Sequence, residues 1–270
     1  MADRSAIEWT DATWNPVTGC TKISPACAHC YAEAITLRFG GSGPFLPGRG
    51  VISLHPERLS IPVKWRAPRR IFVNSMGDLF HEDVPLKFIE RVFEVMASAS
   101  RHTFQILTKR HLRLRELSPF LDWPPNVWIG VSVENQYWAE RRIPALLRVP
   151  ARIRFLSVEP LLKPVDLSPY LVGLQWVIVG GESGPKARPM HPDWVSSVRQ
   201  DCEKAGIPFF FKQWGGRTSK AGGRLLDGRS HDGIPTVGGA LGHTSIHPTS
   251  KRCAVALPAS PYIVAASAGG

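Results

Sequence analysis

The run IRFLSVEPLLKPVDLSPYLVGLQWVIVGGES (153–183) decides the fold. It holds two nearly continuous apolar stretches, Ile153–Val158 and Trp176–Val179. The first breaks at once into Glu159, the second into Gly180-Gly181-Glu182-Ser183. Strands apolar on both faces belong to a parallel sheet covered by helices, whereas a sheet with one wet face would alternate. Working outward, Ile71–Val73, Phe104–Leu107, Val127–Val131 and Phe209–Phe211 repeat the pattern, interrupted only by Gln105 and Arg154. Between them Leu86, Ile89, Val92, Phe93 and Met96 follow helical spacing, as do Val195, Val198, Cys202 and Ala205. In the connection around Trp138–Leu147, Pro144 is expected to kink or end its helix. A weaker strand near Thr13–Thr18, interrupted by Pro16, would bring the total to seven. The alternation predicts an α/β fold, a partial parallel (βα) TIM-like barrel of about six to seven strands.

The barrel with its N-terminal cysteine loop is expected to occupy residues 1–235. Residues 236–270 show no sustained period and read as a flexible C-terminal extension. The glycine-rich stretch Gly40–Gly50 lacks P-loop spacing and reads as an ordinary connection.

Composition narrows the class. With 43% hydrophobic and 20% charged residues the 270-residue chain is globular, not disordered. No apolar run reaches membrane-spanning length, and the opening MADRSAIEWTD has no secretory pattern, so a soluble cytoplasmic protein is expected. A formal net charge of +11 favours a polyanionic partner, nucleic acid first, with plain solubility charge as the bland alternative. Five cysteines without a secretory signal argue against a disulfide framework.

Polar residues follow each apolar strand: Asn74, Ser75, Gly77 and Asp78; Thr108 and Lys109; Ser132, Glu134 and Asn135; Glu159; Glu182; Lys212 and Gln213. Ligands of parallel α/β folds sit outside the carboxyl ends of the strands, so these residues describe one polar rim. Helix capping explains any single one of them equally well.

Three cysteines fall in Gly19-Cys20-Thr21-Lys22-Ile23-Ser24-Pro25-Ala26-Cys27-Ala28-His29-Cys30-Tyr31, spaced C-x6-C-x2-C. Three thiolates without a nearby fourth suit a four-iron cluster with one open iron. Structural zinc wants four ligands, and His29 is awkwardly placed beside Cys30 to be the fourth. Cys202 lies on the apolar face of its predicted helix and reads as core, and Cys253 sits in the tail. Trp9 and Trp14, just before the cysteines, could stack on a base or pack across the barrel. His81, His102 and His111 share no metal spacing and read as surface or hydrogen-bonded histidines.

The segments Ile7–Cys20, Phe72–Phe80 and Val179–Gly184 resemble a phage-associated three-Cys-motif protein family, often left as a domain of unknown function, over about residues 5–235. That family in turn is similar to the radical S-adenosylmethionine superfamily, nearest in layout to spore photoproduct lyase, which repairs a thymine lesion in DNA. The resemblance implies a radical SAM-like partial barrel in which Cys20, Cys27 and Cys30 hold a 4Fe-4S cluster. S-adenosyl-L-methionine on the open iron would yield a 5′-deoxyadenosyl radical. Gly77 and Asp78 match the place of the superfamily's Gly-Gly-Glu motif, which receives the methionine ammonium. Thr108, Lys109, Ser132 and Glu134 match strand-end positions facing cofactor or substrate, and Glu159 and Glu182 complete the expected cofactor rim. Two departures stand out: the superfamily's usual spacing is C-x3-C-x2-C, and His29 replaces an aromatic residue. A three-Cys-motif partner protein is a further implication.

Together these readings predict a radical S-adenosylmethionine enzyme acting on nucleic acid, in lesion repair or base modification, with no catalytic residue assigned. The rivals are a non-catalytic metal- or cluster-containing nucleic-acid-binding module and a phage interaction protein.

Overall fold

The computed structural model describes residues 4–38 and 52–236 of the chain. The strands are β1 (Ala12–Trp14), β2 (Val17–Thr18), β3 (Ser53–Leu54), β4 (Arg70–Val73), β5 (Thr103–Thr108), β6 (Val127–Ser132), β7 (Ile153–Val158), β8 (Trp176–Gly180) and β9 (Phe209–Gln213). The helices are α1 (Tyr31–Arg38), α2 (Ile61–Lys64), α3 (Leu86–Ser98), α4 (His111–Leu117), α5 (Gln136–Leu147) and α6 (Pro192–Lys204). Seven strands form one sheet in the order β1-β4-β5-β6-β7-β8-β9. Every pairing in it is parallel. The partial α/β barrel expected from the apolar runs is therefore present, each strand feeding its neighbour in sequence order. Between β7 and β8 the crossover is a 3-10 segment, Ser168–Gly173, in place of an α-helix.

Period-two alternation sorts the sheet into two faces. Ile71, Val73, Ile106, Val131, Leu156, Val177 and Phe211 pack outward with helix residues such as Ile89, Val92, Ile143 and Val198. Phe72, Trp128, Phe155, Trp176, Ile178 and Phe210 point inward, where Trp9 joins them. Gly130 makes room for this inner packing, since a Cβ there would meet the Phe155 ring at 2.5 Å.

Two expectations are refined. The strand near Thr13–Thr18 is really two: Pro16 breaks it, β1 stays in the main sheet, and β2 pairs antiparallel with β3. Proline has no N–H for a ladder, and its carbonyl instead accepts from His55 N at 2.8 Å. Pro144 does not end its helix, for α5 runs on to Leu147. Asn135 caps α5 by accepting from Trp138 N, and buried Ile143, Ala145 and Leu146 anchor the helix on both sides of the proline.

The predicted core role of Cys202 holds: it is fully buried in α6, and burial pushes its thiol up to about 12. Among the described residues no helix is long and apolar enough to cross a membrane. The Gly40–Gly50 connection, Cys253 and nearly all of the expected extension lie outside the described residues.

Candidate functional site

Continuing the inward parity past the aromatic floor leads to the carboxyl ends of the strands. It passes through Ser132 at the end of β6 and Glu134 beyond it, Ser157 in β7 and Glu159 beyond it, Glu182 after β8 and Lys212 in β9. Lys212 Nζ meets Glu159 Oε1 at 2.5 Å across this face. These members of the rim read from sequence share the inner parity of the sheet, whereas Thr108 follows the outward parity of Ile106.

The cysteine loop is fastened onto that rim. Gly19 forms a parallel bridge with Gly77, and Gly19 N donates to Met76 O at 2.9 Å. The approach is close enough that a Cβ on Gly77 would stand 2.9 Å from Gly19 O, which is why no larger residue fits there. Arg110 Nη2 donates to Thr21 O at 3.2 Å and to Thr21 Oγ1 at 2.6 Å, and lies 3.9 Å from Cys20 Sγ. Thr21 Oγ1 is also 3.0 Å from His81 Nε2. Tyr31, at the start of α1, donates its hydroxyl to Ser75 O.

The far side of the loop is held by the β8 end. His29 Nδ1 lies 2.9 Å from Glu182 Oε2. Arg188 pairs with both oxygens of Glu182 and donates to Pro25 O at 2.9 Å. Burial would raise the Glu182 pKa, but the hydrogen bonds from Arg188 and His29 hold it down at about 2. His29 is thereby committed to Glu182. Among the described residues no disulfide holds Cys20, Cys27 or Cys30, and all three are partly exposed. Burial pushes the Cys20 thiol up to about 12, with Asp78 adding to the rise and Arg110 opposing it. Among the described residues no three His, Cys, Asp or Glu converge tightly enough for a single metal ion.

Beneath the loop the rim residues divide into two kinds. Asp78 ties strand ends together, accepting from Thr108 Oγ1 at 2.8 Å, Lys109 N at 3.2 Å and Phe80 N at 3.0 Å. Thr108 Oγ1 in turn accepts from Arg110 N. Gly181 is set by close packing, because a Cβ there would collide with Trp214 O. The second kind is left with unused polarity. Glu134 and Arg142 form a fully buried ion pair at 2.7 Å. Among the described residues Glu134 Oε1, Arg142 Nε and Nη2, and Ser132 Oγ have no hydrogen-bond partner. Four polar atoms around one pair thus keep hydrogen-bonding capacity, and the Arg142 guanidinium packs 3.9 Å from the Trp138 ring centroid.

Sequence reasoning missed Arg110, Arg142 and Arg188. Each lies beyond its strand end, and only folding brings it back over the rim. Trp9 and Trp14, read as a base platform or as packing, are both buried: Trp9 in the aromatic floor and Trp14 with Nε1 donating to Arg58 O at 2.9 Å. Packing is their role. His81 and His102 are buried and hydrogen-bonded, the latter to Pro62 O at 3.0 Å.

No curated protein matches this chain. Two solved structures are similar to it, and both are of spore photoproduct lyase. One, complexed with dinucleoside spore photoproduct, shares 14% identity over 70% of this chain and 59% of that chain, with a TM-score of 0.39. The other, a point mutant, shares 13% identity over 70% and 59%, with a TM-score of 0.41. This chain spans about three fifths of the length of those structures. A family profile matches residues 4–235, from the segment before the cysteine loop to the turn closing on β9, and the chain accordingly belongs to the family described as "Protein of unknown function (DUF5131)".

Proposed function

We propose that this chain is an iron–sulfur, S-adenosylmethionine-dependent radical enzyme that acts on nucleic acid, in lesion repair or base modification. The observation that carries the reading is the loop of three partly exposed cysteines pinned over the carboxyl ends of a parallel half-barrel. The donor set fits a 4Fe-4S cluster. A cubane spreads its thiolates over separate iron corners, so its ligands need not converge as those of a single ion do. Cys202, fully buried in α6, is not on this loop and is not a fourth ligand.

On this reading the rim would hold a zwitterionic cofactor. Arg142 Nε and Nη2 offer donors for a carboxylate, and Ser132 Oγ and Glu134 Oε1 offer partners for hydroxyl or ammonium groups. Gly77, Asp78, Thr108, Lys109, Glu159 and Glu182 complete the proposed cofactor rim. When bound, S-adenosylmethionine would supply a 5′-deoxyadenosyl radical, the hard chemistry being the cofactor's own. The chain's part is to hold and shield. Arg110, Arg188 and Tyr31 fix the loop, while the aromatic floor closes the lower end of the half-barrel to water.

A second reading is a non-catalytic cluster-bearing nucleic-acid-binding or interaction module, for which a three-Cys-motif partner protein is a candidate. It is favoured by Asp78, whose carboxylate serves the local backbone and Thr108. One experiment separates the two. Anaerobic reconstitution with iron and sulfide is expected to load about four irons per chain, and dithionite with S-adenosylmethionine should then release 5′-deoxyadenosine. Cys20→Ala should lose both. A cluster that forms without deoxyadenosine release would favour the module, and tightly held zinc would defeat the cluster altogether.

A further inference from the structure

Beside the cysteine loop runs an open groove of about 300 Å3, walled by Ile23 from the loop, Glu82, Lys109 and Arg110 ahead of α4, His111, Leu112 and Arg113 in α4, and Trp138 from α5. Its surroundings are basic. The segment Lys109-Arg110-His111-Leu112-Arg113-Leu114-Arg115 carries four cations and no carboxylate. Three arginines of this face are spoken for: Arg110 by Glu82, Arg113 by Glu116 and Arg142 by Glu134. Among the described residues no ion pair holds Lys109, Arg115 or Arg141. His111 reports the resulting field. Burial lowers its pKa first, and Arg142, Arg115 and Arg141 lower it further.

The same face is aromatic. Tyr137 is 53% exposed, and the Arg141 guanidinium lies 3.4 Å from its ring centroid. Trp138 meets Tyr137 edge-on at 5.1 Å and His111 at 6.3 Å. Cations without carboxylate partners beside one exposed ring, Tyr137, suit a chain of phosphates and bases: charge tracks the backbone and the ring receives a base. An acidic peptide would use the charges and leave the ring idle. The groove's volume is at the lower end for small-molecule sites, room for one unit of a single strand and not for a duplex.

We infer that the α4–α5 face is a single-stranded nucleic-acid site, with phosphates on Arg115 and Arg141, a base against Tyr137, and one nucleotide entering the groove toward the cysteine loop. The inference deepens the proposed function and rests on it for the chemistry done on that nucleotide, but the binding itself is testable alone.

The test is fluorescence anisotropy of the full chain with labelled oligothymidylate and oligouridylate, each of about twelve nucleotides, at about 50 and 200 mM salt. Arg115→Glu with Arg141→Glu is expected to weaken binding at least about tenfold and to flatten the salt dependence by about two phosphate contacts. Tyr137→Ala should weaken it about tenfold through lost stacking. The control, Lys204→Glu with Lys220→Glu, makes the same change in net charge on other exposed cations and should change binding little. Should charge reversal impair folding, Arg115→Gln with Arg141→Gln asks the same question more gently. Equal losses in the two double variants, or no binding of either polymer by the wild-type chain, would overturn the site. Deoxyadenosine release without nucleic-acid binding would defeat this site and spare the radical reading. Binding lost only in the α4–α5 variants, without deoxyadenosine, would do the reverse.

Discussion

Glu182 shows how much one side chain contributes to the cysteine loop. Its carboxylate meets Arg188 and His29, while Arg188 reaches on to Pro25 O. Because these hydrogen bonds hold its folded pKa at about 2, below the ordinary value of 4.5, the ionised form stabilises the fold. That stability is fully present above the unfolded value near 4.5 and is lost as pH falls toward about 2. Arg188 is partly exposed, which screens the pair, so a contribution of about 2 kcal/mol is reasonable. Glu182→Gln should therefore lower stability by about that amount at neutral pH. The gap between variant and wild type should narrow below about pH 4.5, as urea melts across pH would show. A gap independent of pH would mean that ionisation of Glu182 is not what holds the loop. The acid was legible in the sequence because it follows an apolar strand. Its partners were not, because His29 is 153 residues away in the chain.

Elements were more legible than their partners. Six strands announced themselves as apolar runs and sit within a residue or two of the expected places. Two prolines act in ways the pattern left open. Pro16 does more than weaken a strand: it hands the following residues to a different sheet. Of the two outcomes expected at Pro144, an end to the helix is not taken: α5 continues past it with the packed residues Ile143, Ala145 and Leu146 fixing the register. Local propensity loses there to burial, an outcome a pattern cannot weigh without the fold. The helix should then carry a removable penalty, a missing amide donor at an exposed position. Pro144→Ala restores that donor toward Glu140 O and is expected to raise stability by about 1–3 kcal/mol in chemical denaturation. Destabilisation would show instead that the ring shapes the bend of α5 over the sheet.

The molecule as a whole separates its chemistry by level within the half-barrel, and that separation follows from the period of the strands. Inward positions near the amino ends carry Phe72, Trp128, Phe155, Trp176 and Phe210, while inward positions near the carboxyl ends carry Ser132, Glu159 and Glu182. The rim was visible in the sequence because strand ends are local features. The floor was not, for its rings come from five different strands and from Trp9. Trp176 is its centre, with ring centroids 6.1 Å from Trp9, 6.0 Å from Trp128, 5.5 Å from Phe155 and 6.3 Å from Phe210. Its Nε1 also donates to Gly233 O at 2.6 Å, tying the last described turn to the barrel. Removing that ring leaves a cavity bounded by stiff aromatic neighbours that collapse poorly, so Trp176→Ala should lose about 3–5 kcal/mol. A domain with about 5–15 kcal/mol in hand would be close to unfolding. Urea denaturation should show a large fall in midpoint with little change in slope. A loss under about 1 kcal/mol would mean the floor closes without its central ring. The half-barrel's lower end would then be sealed by the strands and not by the aromatic cluster.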